Sequence, residues 1–173
     1  MRGKAPRPSS ATQYPGMLTV INTEKYMKFQ KITPYLWFNN QAEEAAKFYC
    51  SIFDNSKINS GGGPVVEFEL AGTNFMALNG GPQYQFNEAV SFYVLCKNQE
   101  EVDRIWNALI SDGGSEGKCS WCKDKFGVSW QIVPERFIEM MKTGTPKQTQ
   151  NVMSAMMKMD KMIIEDFETA FQE

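Results

Sequence analysis

The chain carries an internal duplication. A shift of 57 residues lays Glu43-Glu44 on Glu100-Glu101, Phe48 on Ile105, Tyr49 on Trp106 and Ile52 on Leu109, and the apolar run 31–39 falls on 89–96 within one residue. A repeat of this length makes each half one supersecondary unit, whose apolar sheet face must be covered by another element or by a ligand. In the first half, KITPYLWFN at 31–39 is rich in β-branched and aromatic residues and reads as a strand. Asn39-Asn40 offers an N-cap to a helix whose buried side carries Ala42, Ala45, Ala46, Phe48, Tyr49 and Ile52. Val66, Phe68 and Leu70 then alternate with Glu67 and Glu69, and Gly72-Thr73 turns that strand into another at 74–79. The second half repeats the order: a strand at 89–96, a helix with Val102, Ile105, Trp106 and Leu109 on its apolar side, and strands near 118–122 and 128–133.

Composition removes several function classes. The 173 residues include no histidine, so imidazole-based triads, Cys-His pairs and HExxH zinc sites are excluded. A formal net charge of −2 gives no electrostatic reason to bind nucleic acid or an anionic membrane surface. The longest apolar runs fall far short of the roughly 20 residues that span a bilayer. Residues 1–27, with Pro6, Pro8 and Pro15 and no continuous apolar stretch before Met17, read as a flexible extension rather than a secretory signal, and the expected location is cytoplasmic. Cys119-Ser-Trp-Cys122 has redox spacing but no second pair to close a zinc shell and no strand-to-helix context, so Cys50, Cys96, Cys119 and Cys122 read as structural thiols.

Four segments, ITPYLWFNNQAEEAAKFY, FMALNGGP, AVSFYVLCKNQEEVDRIW and WCKDKFGVSWQIVP, resemble the PhnB-like branch of the vicinal oxygen chelate superfamily, which includes glyoxalase I, extradiol dioxygenases and bleomycin-resistance proteins. Members of this branch often carry the label 3-demethylubiquinone-9 3-methyltransferase. The resemblance runs from about residue 28 to the C-terminus. It implies an α+β fold of two βαβββ modules, at about 28–82 and 83–135, forming a cupped sheet whose cavity is the site, with 136–173 as a C-terminal helical extension. Metal-using relatives take ligands from equivalent strands of the two modules. The matching positions here are Thr33, Ser91 and Gln131, with a fourth near Ala77 or Asn79. Hydroxyls and amides bind divalent transition metals poorly, so the resemblance combined with these residues predicts a metal-free site and no cofactor.

Strand parity sends Tyr35 and Trp37 to the side of Thr33, which suggests a cavity walled by aromatic rings, with Trp130 adding to the aromatic weight of the strands. Glu67 is the best-placed carboxylate if its face is the cup interior. The candidate ligand-binding set is therefore Thr33, Tyr35, Trp37, Glu67, Asn79, Ser91, Trp130 and Gln131. Glu43-Glu44 and Glu100-Glu101 sit in first helical turns and read as dipole-favoured surface acids. Asn79-Gly80-Gly81-Pro82 lacks the Lys and Ser/Thr of a phosphate loop, and no glycine fingerprint opens a helix, so the sequence supplies no Rossmann-type site for a methyl-donor cofactor. Seven of the 11 methionines lie between Met140 and Met162, and Val152, Met156, Met159 and Ile163 define an apolar helical seam. Open cups and this seam predict a homodimer. Two functions stay in view: a protein that binds a small aromatic or amphipathic molecule, or an enzyme (methyltransferase-like by label, or a lyase or isomerase) acting on a small carbonyl or quinone.

Overall fold

Two four-stranded sheets, one from each half of the duplication, frame the computed structural model, which describes residues 30–173. The first half runs β1 (Tyr35–Phe38), α1 (Ala42–Ile52), β2 (Lys57–Ser60), β3 (Val65–Leu70) and β4 (Thr73–Asn79), in the sheet order β1-β4-β3-β2. The second runs β5 (Ser91–Cys96), α2 (Gln99–Leu109), β6 (Ser115–Glu116), β7 (Trp121–Lys123) and β8 (Ser129–Pro134), in the order β5-β8-β7-β6. Each module is thus βαβββ with its first and last strands parallel, and the fold class is the one the duplication and the resemblance imply. Residues 1–27, expected to form a flexible extension, lie outside the described residues.

The two parallel registers calibrate the repeat. Tyr35 lies opposite Met76 and Phe38 opposite Asn79, while Tyr93 lies opposite Gln131 and Cys96 opposite Pro134, so Tyr35 and Tyr93 occupy equivalent places 58 residues apart. Thr33 and Ser91 share that offset. Within each sheet the side chains alternate, and one face of each enters a common hydrophobic core: Leu36, Phe38, Val66, Phe68, Phe75 and Ala77 from the first, Trp130 and Ile132 from the second. Ala42, Ala45, Ala46, Tyr49 and Ile52 of α1 and Val102, Ile105, Trp106 and Leu109 of α2 fill it, which are the apolar positions read from the sequence. The smallness of the three alanines lets α1 approach its sheet closely.

One buried carboxylate ties the modules together. Asp124 Oδ1 accepts the backbone N–H groups of Phe126 and Val128 at 2.9 and 3.0 Å, and Oδ2 accepts the Tyr49 hydroxyl at 2.8 Å and the Trp130 indole N–H at 2.9 Å. Tyr49 stands on α1 of the first module, and the other three belong to the loop and last strand of the second. Gly127 closes the loop at φ 85°, a conformation that an L side chain strains to adopt. Asp124, Gly127 and Trp130 of the segment DKFGVSW that carries the resemblance are therefore architectural. Burial raises the Asp124 carboxyl above its ordinary value against the opposing effect of these donors, and burial with the nearby Asp124 charge pushes the Tyr49 phenol well up.

Several sequence expectations require correction. The cap of α1 is not Asn39 or Asn40: Asn79, at the end of β4, accepts the Ala42 N–H on its Oδ1 at 2.8 Å. The reading of one strand over 118–122 gives way to a hairpin of β6 and β7, with Cys119 and Ser120 in left-handed conformations between them at φ 55° and 66°. The seam over residues 152–163 is not one helix. After α3 (Glu135–Thr143), α4 (Pro146–Met156) closes on a tightened turn in which the Lys158 and Met159 N–H groups bond the Ala155 and Met156 carbonyls, each at 3.0 Å, and beyond it Met159 and Asp160 accept the backbone N–H groups of Cys119 and Ser120 at 2.9 and 2.7 Å. Val152 and Met162 are buried from this region with Val133, Phe137, Met140 and Phe167 of α5 (Ile164–Gln172), in a second core where the C-terminal extension packs on β8. All four cysteines are free thiols, and burial, the larger cause, pushes Cys96 and Cys122 up to about 12, which leaves them poor nucleophiles.

Candidate functional site

The sides of the sheets turned away from the shared core are polar and only partly covered. On the second sheet, the pairings put Ser91, Ser129, Lys123 and Ser115 in one cross-strand row, and Tyr93, Gln131 and Trp121 in the next. Gln131 donates from its amide to Ser91 Oγ at 2.8 Å, so two of the residues singled out from the sequence meet. Ser129 is 1% exposed, and its hydroxyl has no hydrogen-bond partner among the described residues. A buried hydroxyl without a partner costs about 1–3 kcal/mol, and no other buried side-chain nitrogen or oxygen among the described residues lacks one.

Ser129 also marks the junction of two cavities of about 240 Å³ each. One is bounded by Glu88, Ser115, Glu116, Trp121 and Lys123, the other by Tyr35, Phe86, Val90 and Phe92, and Ser129 borders both. One lies by the first strand of the first module and the other by the β6–β7 hairpin of the second, with Ser129 between them; the pair is termed the trough. The connection between the modules runs along it, bringing the Glu88 carboxylate onto the Lys123 ammonium. That contact holds Glu88 below the usual carboxylate range.

The remaining sequence candidates divide. Tyr35, half exposed, contributes to the trough; Trp37 and Glu67 share its face of the first sheet, Glu67 in the same row through Met76. Trp37 is held under the loop that leaves β4, donating from Nε1 to Gly81 O at 2.8 Å and meeting the Tyr84 ring edge-on at 4.9 Å. Gly80 is necessary there, since a Cβ would fall 2.3 Å from the indole. Thr33 lies just before β1 and borders none of the cavities described above; Ser91 and Gln131 stand beside the trough in rows adjoining its walls. Asn79 and Trp130 are corrections. Asn79 faces the helix side and serves as the α1 cap, and Trp130 is 2% exposed, with its ring in the core against Tyr49, Phe53 and Phe92. Sequence reasoning did not single out Ser129, Lys123 or Glu88. Ser129 shares the parity of Gln131 and was legible from it; Lys123 needed the β7–β8 register.

A divalent metal does not fit the positions that would hold one. The register identifies Met76 as the first-module counterpart of Gln131, in place of Ala77 or Asn79; Ala77 is fully buried on the core side. The four positions are then Thr33, Met76, Ser91 and Gln131, which offer two hydroxyls, a thioether and an amide, with no imidazole or carboxylate. No cluster of three or more His, Cys, Asp and Glu side chains able to hold a metal occurs among the described residues, and no helix there is long and apolar enough to cross a membrane.

Comparison with known proteins places this architecture. The profile of the family described as 3-demethylubiquinone-9 3-methyltransferase matches residues 30–133. A solved structure described as a putative 3-demethylubiquinone-9 3-methyltransferase, PhnB protein, from Bacillus cereus is 36% identical, with a TM-score of 0.56, covering 61% of this chain and 99% of its own. A protein from Pseudomonas aeruginosa is 20% identical, with a TM-score of 0.51, covering 61% and 98%, and shares the fold. A glyoxalase/bleomycin resistance protein from Albidiferax ferrireducens is 14% identical, with a TM-score of 0.45, over 59% and 95%. No functionally curated protein matches. The fold defines a paired-βαβββ protein, each module closing its sheet with parallel first and last strands. Within that class, the chain belongs to the PhnB-like family described as 3-demethylubiquinone-9 3-methyltransferase.

Proposed function

We propose that the protein binds a small organic molecule, without a metal, in the trough that Ser129 joins, and that it does so as a homodimer. The observation that carries the reading is the buried Ser129 hydroxyl left without a partner between two cavities: turned about its χ1 towards either one, it would give a ligand oxygen or nitrogen the hydrogen bond the folded chain leaves unmade. Tyr35 and Trp121 supply ring surfaces at the two ends, and the Ser91–Gln131 pair adds donors and acceptors beside them. The homodimer is supported by the half-exposed Tyr35, Tyr93 and Leu95, apolar groups presented by both sheets of one chain, so that a second copy can offer each sheet the complementary one.

The activity in the family's description finds little support in these residues. The junctions leading into α1 and α2 are Asn39–Gln41 and Lys97–Asn98, not the glycine-rich turns that cradle a nucleotide-like cofactor. The carboxylates bordering the trough are already engaged: Glu88 by Lys123, and Glu116 by the Trp106 indole at 3.2 Å. The test is a thermal-shift screen of small aromatic compounds, quinones and 2-oxo acids, followed by titration of each hit against Trp121→Ala. Loss of the Trp121 ring should weaken binding by about 1–3 kcal/mol, roughly a five- to 150-fold change; hits that bind the variant as tightly as the wild type would contradict the assignment.

A further inference from the structure

The geometry points to a carboxylate as the group that the trough recognises: we propose that its ligands are single-ring carboxylates, and that Glu88 holds the place of the ligand carboxylate until one arrives. This inference rests on the proposed binding site and specifies its chemistry. Lys123 is the cation among the residues bounding the cavity at the β6–β7 end, and it stands in the same cross-strand row as Ser129, one strand away. Lys123 and Ser129 are direct partners in the antiparallel β7–β8 pairing and project from one face of the sheet, so a carboxylate seated there can take the ammonium with one oxygen and, once Ser129 turns towards the cavity, its hydroxyl with the other. Trp121 lies two residues from Lys123 on the same face and offers a ring surface next to them. The cavity, at about 240 Å³, is below the roughly 300 Å³ at which ordinary ligand pockets begin. It has room for one ring and its carboxylate rather than for a fused system.

The protein already contains a carboxylate on that lysine. Glu88 comes from an exposed turn in the connection between the modules, in which the Ala89 N–H is held by the Asn87 side chain at 2.9 Å, and its own side chain is about two-thirds exposed. An exposed ion pair of this kind contributes little to stability, so exchanging it for a ligand carboxylate that also satisfies Ser129 and covers Trp121 is favourable. Neutral ligands of the same shape would leave the Lys123–Glu88 pair intact and gain only the ring contact.

Isothermal titration with benzoate and with benzamide, its neutral counterpart, tests the proposal in the full-length protein and in three variants. Benzoate should bind at least about tenfold more tightly than benzamide, and Lys123→Met, which keeps the apolar stem, should remove most of that difference. Glu88→Gln, on an exposed turn where folding is not at stake, should tighten benzoate relative to benzamide by about three- to tenfold by removing the internal competitor. Ser129→Ala should weaken benzoate while raising the melting temperature of the free protein, because it deletes an unsatisfied buried hydroxyl. Equal affinity for the two probes, both weakened by Trp121→Ala, would overturn the carboxylate proposal and leave the trough as the site. Benzoate binding in Glu88→Gln that is unchanged or weaker relative to benzamide would overturn the part assigned to Glu88. Absence of binding by either probe, with no Trp121-dependent hit in the wider screen, would overturn both readings.

Discussion

Asp124→Ala should destabilise the protein by about 3–5 kcal/mol, the scale of breaking a buried charged network by removing one partner. The substitution leaves the Tyr49 hydroxyl, the Trp130 indole and the N–H groups of Phe126 and Val128 without their acceptor. With total stability of about 5–15 kcal/mol for a domain of this size, much of the margin disappears, and the melting temperature should fall on the order of 10 °C. Asp124→Asn should be damaging as well, since its amide hydrogens face donors on both sides. The pH dependence follows from the sign of the shift. Burial raises the folded pKa of Asp124 above the unfolded value. The group therefore contributes stability that is fully present below its unfolded pKa and is lost as pH rises through the folded one. Denaturation curves across acidic pH should show this component in the wild type and not in Asp124→Ala. A variant as stable as the wild type would refute the role given to this carboxylate in joining the modules.

Leu95→Arg should convert the proposed homodimer to monomers, weakening association by at least about a hundredfold, because a guanidinium would be desolvated against an apolar partner surface without a counter-charge. Leu95 is 51% exposed on the single chain and lies opposite Val133 at the end of the open face bounded by the C-terminal extension, so the substitution is tolerated by the isolated fold. Sedimentation equilibrium at micromolar concentration measures the effect; Leu95→Met serves as the control and should remain dimeric. A monomeric wild type would contradict the homodimer itself.

The contrast between what the sequence disclosed and what it concealed follows from the range of the interactions involved. Duplication, helix faces and most strands depend on local periodicity, and Val102, Ile105, Trp106 and Leu109 are all buried as the 3.6-residue pattern requires. β2 was not visible because Lys57–Ser60 is an exposed, largely polar edge with no alternation to read. The Asn79 cap joins residues 37 apart, and no local pattern announces such a contact. Parity still limits the choices. Trp130 and Gln131 are adjacent in one strand and cannot share a face, so the alternation of side chains by itself forbids both from lining one site. Asn79 has the parity of Phe75 and Ala77, which assigns it to the core side. Ser91 and Gln131 meet because the parallel β5–β8 pairing follows from the module topology.

The most direct test of the trough as a metal-free binding site is amide chemical-shift mapping of the uniformly ¹⁵N-labelled protein, kept in chelator and titrated with a screening hit. Binding should shift the amides of Tyr35, Ser91, Trp121, Lys123, Ser129 and Gln131 first and leave those of Leu70, Ala71, Thr73 and Phe75, which line a separate apolar cavity, unchanged. Shifts confined to that apolar cavity, or shifts at the trough that appear only when a divalent metal is added, would contradict it.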